Sequence, residues 1–250
     1  MRYFIFLSYR GTNYHGWQRQ PGSPTVQQLL ERVLSLKLGN ETAVTGAGRT
    51  DAGVHASFYC AHFDAAREDL AGNSDFTYGL NRFLPPDVAI DRIVRVASNA
   101  SARYSALSRT YVYRIIRRKD PFTTETGWHY SGELNVSLMN EASAILLEYN
   151  DFASFCRSDS DVKTTICKIE SATWVENDSA LEFHITADRF LRNMVRAITG
   201  TMIEIGQGKI SLQDFRQIIE SHDRTRAGQS APAKGLFLTG VQYPPEIFEV

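Results

Sequence analysis

Short β-rich runs and amphipathic helical segments follow one another twice in the same order along this 250-residue chain, which points to a mixed α+β architecture, mainly antiparallel, with helices packed on sheets. Tyr3 to Tyr9 is the first β-rich run. Arg10-Gly11-Thr12-Asn13 ends it in a loop that continues through Tyr14-His15-Gly16-Trp17-Gln18-Arg19-Gln20. The next segment carries helix signals at both ends. Thr25 and Gln28 form a capping box, Val26, Leu29, Leu30, Val33 and Leu34 fall on one face, and Gly39 closes the helix. Thr42 to Gly46 then reads as a short strand and Val54 to Phe63 as a longer one. Phe76 to Phe83 reads as a helix stopped by Pro85-Pro86, and Val88 to Val96 alternates as a strand.

Ala97 to Ala102, a run of small residues, is a candidate linker, and beyond it the order recurs. A strand is expected over Arg109 to Ile116, a helix near Leu138 to Leu147, and strands over Ile169 to Val175 and Leu181 to Thr186. Helices follow over Phe190 to Ile205 and Ser211 to Ile219, then a last strand around Leu236 to Val241. No sequence repeat accompanies this repeated order. With 43% hydrophobic residues the chain can bury a sizeable core, and its length exceeds that of the commonest single domain. Two domains are therefore expected, over 1–104 and 105–250.

A net charge of −1 argues against a uniformly basic nucleic-acid binder. The basic residues are nevertheless gathered: Arg114, Arg117, Arg118 and Lys119 form one cluster, and Arg189, Arg192 and Arg196 another. Segregated charge can build a positive surface on a neutral protein, although scattered solvated arginines fit the same list. Arg192 and Arg196 are spaced to share a helix face that could meet an anion. Cys60, Cys156 and Cys167 are widely spaced without C-x-x-C, so they read as small core residues and not as a disulfide or zinc framework. No apolar run is long enough for a membrane span and the start reads directly as a strand, so a soluble cytoplasmic protein is expected.

Gly48-Arg49-Thr50-Asp51-Ala52-Gly53-Val54-His55 holds the densest chemistry of the chain. With Gly46 it offers three glycines, which permit positive φ and close approach of a ligand, beside one carboxylate and one guanidinium. A polar turn before a strand would have a similar composition. Gly46 and Gly48 begin like G-x-G-x-x-G, but Asp51 takes the third glycine's place and the loop enters a strand, so dinucleotide binding is poorly supported. P-loop, nucleophile-elbow and zinc-deaminase signatures are missing, and His55 and His62 point to opposite faces of one strand. What remains is Asp51 beside Arg49, a pairing that favours the ionised carboxylate and suits nucleophilic or electrostatic work. On these residues alone an RNA-binding module and an N-glycosidase both stay open. Tyr111 and Tyr113 share a strand face; a pair of half-buried strand tyrosines is the plainer reading on spacing alone, and the alternative is that one of them faces a ligand.

Five motifs occur in order: Tyr14 to Gln20, Gly48 to His55, Ala102-Arg103-Tyr104-Ser105-Ala106 followed by Arg109-Thr110-Tyr111, Phe190 to Arg196 with Gly200, and Ala231-Pro232-Ala233-Lys234-Gly235-Leu236. Together they resemble the tRNA pseudouridine synthase A family from the first strand to the last. Ser101 departs from the family's usual His or Asn and bears only on a peripheral contact. The resemblance implies that Asp51 is the catalytic aspartate, Arg49 the neighbour that holds the loop and a phosphate, Tyr111 the ring packed on the target base, and Arg196 a second active-site arginine. Gln18, Arg19, His55 and Arg192 would be further substrate contacts. It implies isomerisation of uridine to pseudouridine at positions 38, 39 and 40 of the tRNA anticodon arm, with no cofactor and no metal. It also implies two α/β domains with a cleft between them, and a homodimer.

Overall fold

The computed structural model describes residues 1–157, 162–177 and 179–248. The chain divides into two compact units, residues 1–108 with 238–250, and residues 109–237. The division falls a few residues after the expected one, and the C-terminal segment returns to the first unit.

Unit 1 contains β1 (Arg2–Tyr9), α1 (Val26–Leu38), β2 (Thr45–Gly46), β3 (His55–Asp64), α2 (Ser74–Asn81) and β4 (Val88–Val96). β1 lies between β3 and β4 and pairs antiparallel with both, from Arg2 opposite Asp64 and Val96 to Tyr9 opposite Ala56 and Val88. β2 pairs antiparallel with the middle of β3, Gly46 opposite Ala61, so the Gly48–His55 segment is the connection of a β hairpin. Tyr3, Ile5, Tyr59, Ala61 and Phe63 are fully buried with Val26, Leu30 and Leu34 of α1 and Leu80 of α2, and Tyr3 stacks on Phe63 at 5.6 Å.

The helix α1 has the expected ends. Thr25 accepts a hydrogen bond from the Gln28 amide and Gly39 sits at φ 74°, in the left-handed region glycine tolerates. The return half of the expected capping box does not form, because Gln28 is not bonded back to Thr25; the forward cap alone is made. Residues Ala97 to Ala102 are not a linker. Ala100 and Ala102 are buried, the Arg2 guanidinium donates to the Ala100 carbonyl, and the Ala102 amide donates to His62 Nδ1 at 3.1 Å. Small side chains let this segment lie flat against the sheet, a use that composition shares with a flexible connection. The C-terminal return is held similarly: Tyr243 and Phe248 meet the Phe4 ring edge-on at 5.0 and 6.0 Å, and the Tyr243 hydroxyl donates to the Ala102 carbonyl.

Unit 2 contains β5 (Ser108–Ile116, entering from unit 1), β6 (Trp128–His129), α3 (Val136–Leu146), β7 (Ile169–Glu176), β8 (Ala180–Ala187), α4 (Met194–Gly206) and α5 (Leu212–Glu220). The last strand β9 (Leu236–Gln242) straddles the division. β8 pairs antiparallel with β5 and with β7, while the two-residue β6 runs parallel to β5. Trp174 of β7 stacks on Phe183 of β8 at 4.8 Å and donates its indole N–H to the Met202 sulfur of α4. α4 is buried nearly all round, from Met194 to Gly206, with Arg196 and Glu204 the residues of the helix that are not fully buried. Its buried Thr199 and Thr201 hydroxyls are satisfied by carbonyls one turn back, at Val195 and Ala197. The helix was expected from Phe190, but it begins at Met194. Asn193 at φ 67° breaks the helical path, so Arg192 lies before the helix and does not share a face with Arg196.

His62 supplies a measurable pH dependence. Burial first, then the Arg2 guanidinium, holds its imidazole below the ordinary value of 6.5, against an opposing pull from Asp64. The unfolded chain therefore takes up the proton before the folded one, so this contribution to stability is present above 6.5 and is lost as pH falls through the lower folded value. The urea midpoint should drop between about pH 7.5 and about pH 5.5. That drop should shrink in His62→Gln, whose amide oxygen can still accept from Ala102. An identical drop in the variant would exclude His62 as its source.

Candidate active site

The hairpin loop between β2 and β3 is held along its whole length. The Ala47 amide donates to the Cys60 carbonyl at 2.8 Å, the Gly53 amide to Tyr14 at 3.2 Å, and the Val54 amide back to Asp51 at 3.1 Å, closing a turn. Thr50 is buried, shares a 2.8 Å hydrogen bond with the Tyr9 hydroxyl, and accepts the Trp17 amide on its carbonyl. Asp51 follows directly, with its side chain partly exposed. A carboxylate thus stands one residue after a main-chain anchor.

The loop's glycines serve three purposes. Gly53 takes φ 77°, Gly46 leaves room for the packed Trp17 and Tyr59 rings, and Gly48 faces open space. Only Gly48 keeps the sense of room for a bulky ligand. Closeness demands glycine in the partner loop too, where Gly16 takes φ 85° and a Cβ would run into the Thr50 carbonyl oxygen. Gly11 abuts the Val54 carbonyl in the same way and donates its amide to His55 Nδ1 at 2.9 Å.

The first two sequence motifs are therefore one structure. The Tyr14–Gln20 segment also receives the first amides of α1, Val26 on the Gly16 carbonyl and Gln27 on that of Trp17, which satisfies donors a helix start leaves open. Gln18 and Arg19 are exposed beside it, with Arg19 3.6 Å from Glu31 of α1. His55 is 1% exposed, so it is part of the loop's internal framework. Arg49 is exposed and, among the described residues, forms no ion pair with Asp51 or any other carboxylate.

Unit 2 joins the remaining motifs. Tyr111 sits on β5 opposite Ile185, half-buried, with Phe190 edge-on to its ring at 5.1 Å and 87°. Arg196 and Ala231 bond each other twice: the Arg196 Nε donates to the Ala231 carbonyl at 2.8 Å, and the Ala231 amide to the Arg196 carbonyl at 2.9 Å. Gly200 allows this, since a Cβ there would collide with the Gln229 carbonyl oxygen. Tyr113 donates its hydroxyl to the Pro232 carbonyl at 2.8 Å, and burial pushes its pKa far up, so it stays a neutral donor. Arg192 is exposed.

The basic clusters are partly tied to acceptors within the protein. Arg114 donates to Glu182 at 2.9 Å and covers the Phe237 ring, Arg117 donates to the carbonyls of Tyr130 and Gly132, and Arg189 to those of Thr164 and Ile166. Arg118 and Lys119 are exposed. Cys60, Cys156 and Cys167 are buried thiols, and burial pushes Cys60 and Cys167 up to about 12. Sequence reasoning missed Tyr9, Tyr59 and Phe190, aromatic residues whose contacts with the loop and with Tyr111 come from distant parts of the chain. Only the loop's own oddity hinted that something must hold it.

Fold and site define a mixed α+β protein that carries a carboxylate, Asp51, on an anchored hairpin loop. A family model described as tRNA pseudouridine synthase matches residues 144–244. Proteins named tRNA pseudouridine synthase A from Bacteroides fragilis and Bacteroides thetaiotaomicron are 50% and 49% identical to the chain, each over 99% of it and over 98% and 92% of their own lengths. One from Acetivibrio thermocellus is 39% identical over 96% of the chain and 98% of its own length. The chain belongs to the tRNA pseudouridine synthase A family, and as a member it is an isomerase.

The glycine contrasts are testable. Gly16→Ala should lower stability by on the order of 1–3 kcal/mol through its positive φ, with a further cost from the Thr50 clash. Gly48→Ala, which meets open space without positive φ, should melt with the wild type. Equal melting of the two variants in a thermal scan would show that loop packing does not require Gly16.

Proposed function

We propose that this protein converts uridine to pseudouridine in the anticodon arm of tRNA, at positions 38, 39 and 40, with Asp51 as the carboxylate that acts on the target nucleotide. Family membership over the whole chain supports the reaction. The anchored placement of Asp51 after buried Thr50 carries its assignment to this residue. The change is balanced within the substrate: the N1–C1′ bond breaks, a C5–C1′ bond forms, C5 gives up its proton and N1 gains one.

The target base lies within a stacked arm, so it must be turned out at a cost of a few kcal/mol. Stacking on Tyr111, worth roughly 1–3 kcal/mol, offsets part of that cost. The Phe190 edge contact supports this role by restricting the Tyr111 ring. Arg196 is the second active-site arginine, its main chain and Nε already committed to Ala231. Arg49, Arg19, Gln18 and Arg192, all exposed, contact the RNA, while buried His55 acts through the loop it braces. The family reading also makes the protein a cytoplasmic homodimer. Among the described residues no helix is long and apolar enough to cross a membrane.

Asp51→Asn should bind unmodified tRNA within a few-fold of wild type and lose isomerisation by roughly 10³-fold or more, because phosphate contacts carry binding and the carboxylate carries chemistry. Pseudouridine mapping and tritium release from uridine C5 measure this, and normal turnover by the variant would remove Asp51 from the mechanism. Free uracil among the products would instead indicate a glycosidase.

Affinity for tRNA should fall steeply between roughly 50 and 200 mM salt. Arg49→Ala should weaken binding and lower the slope of log affinity against log salt by about one. An unchanged slope would mean that Arg49 meets no phosphate.

A further inference from the structure

Three buried aromatic side chains meet beneath the catalytic loop: Tyr9 from β1, Trp17 from the segment after it, and Tyr59 from β3. Trp17 and Tyr59 stack with centroids 4.1 Å apart at 27°, and the Tyr9 ring lies 5.5 Å from that of Tyr59. Strand register brings them together. Leu7 pairs with Tyr59 but Tyr9 pairs with Ala56, so β3 carries one extra residue at its loop end, a bulge of the kind that re-aims side chains.

This apolar cluster presents two hydroxyls, and both bond the loop. Tyr59 donates to the Gly48 carbonyl at 2.5 Å, and Tyr9 shares its 2.8 Å bond with Thr50 Oγ1. Gly48 and Thr50 flank Arg49, and Thr50 immediately precedes Asp51. The main chain is therefore held on both sides of the guanidinium and one residue before the carboxylate. Neither tyrosine is placed to touch RNA, since they are 4% and 0% exposed.

We propose that Tyr9 and Tyr59 are positioning residues for the isomerisation: through Thr50 and Gly48 they fix the main chain from which Asp51 reaches the target nucleotide. The proposal rests on the assignment of Asp51 as the catalytic carboxylate. Its physical basis is the steep dependence of rate on placement, about 10²-fold for a misplacement of roughly 1 Å.

The test measures kcat, KM and melting temperature on unmodified tRNA for the full-length variants Tyr9→Phe, Tyr59→Phe, Thr50→Val and Thr50→Ser, with Asp51→Asn alongside. Tyr9→Phe, Tyr59→Phe and Thr50→Val should each lower kcat by roughly 10- to 100-fold with KM near wild type, in protein that melts somewhat lower for its unpaired partner but is fully folded at the assay temperature. Tyr9→Phe combined with Thr50→Val should be no slower than either alone, because both remove the same bond. Thr50→Ser, which keeps the hydroxyl, should retain the rate. Wild-type kcat in the tyrosine variants, a loss that only follows loss of folded protein, or additive effects at Tyr9 and Thr50 would overturn the proposal. An inactive Asp51→Asn beside normal tyrosine variants would overturn positioning alone, whereas an active Asp51→Asn would overturn the reading beneath it.

Discussion

Thr50 is gripped at both its polar groups, its hydroxyl by Tyr9 and its carbonyl by the Trp17 amide, with Gly16 pressed so close that no side chain fits between. Much of unit 1 can be understood as the means of making that grip. The β1 to β3 register with its bulge aims Tyr9 and Tyr59 into the loop's underside. α1 starts on the carbonyls of Gly16 and Trp17, so the partner loop is fastened to a helix as well as to the hairpin. A main-chain hydrogen bond in a buried setting is costly to leave unmade, which makes such an interlocked loop cooperative: loosening one contact exposes the others. Rigid placement of Asp51 is what the role proposed for it, on a turned-out nucleotide, requires.

Unit 2 reaches rigidity by another route. α4 is enclosed by apolar neighbours, and its one arginine in the first turn, Arg196, is clamped to Ala231 in both directions. That clamp depends on Gly200 one turn on, where the chain at Gln229 passes within contact of the helix backbone. Gly11, Gly16 and Gly200 thus mark places where two backbones touch. Close contact between backbones fixes the direction of a side chain more firmly than side-chain packing can, because the backbone has fewer ways to yield.

Much of the architecture was legible in the chain. α1, α5 and the strands β1, β4, β5, β7 and β8 announce themselves by periodicity and caps, since those signals act within a few residues. The small-residue segment 97–102 was misread because Ala and Ser suit a flexible linker and a flat buried segment equally, and only the contacts with Arg2 and His62 distinguish them. The start of α4 was misplaced because the apolar pattern runs through Asn193, whose left-handed backbone has no signature in periodicity. Arg114 and Arg117 looked like surface charge, but the acceptors that hold them, Glu182 and the carbonyls of Tyr130 and Gly132, lie elsewhere along the chain.

The sequence by itself determined the mixed α+β class, the order of elements, the loop that carries Asp51 and, through five motifs in register, the family. Those properties depend on near neighbours, or on residue identities that survive without coordinates. Tertiary structure alone decided that His55 braces the loop from within and that Tyr9 and Tyr59 hold its main chain beside Asp51. Each of these turns on hydrogen bonds between groups 11 to 44 residues apart, whose meeting is set by strand register and a single bulge. A shift of one residue in that register would turn every side chain concerned to the other face.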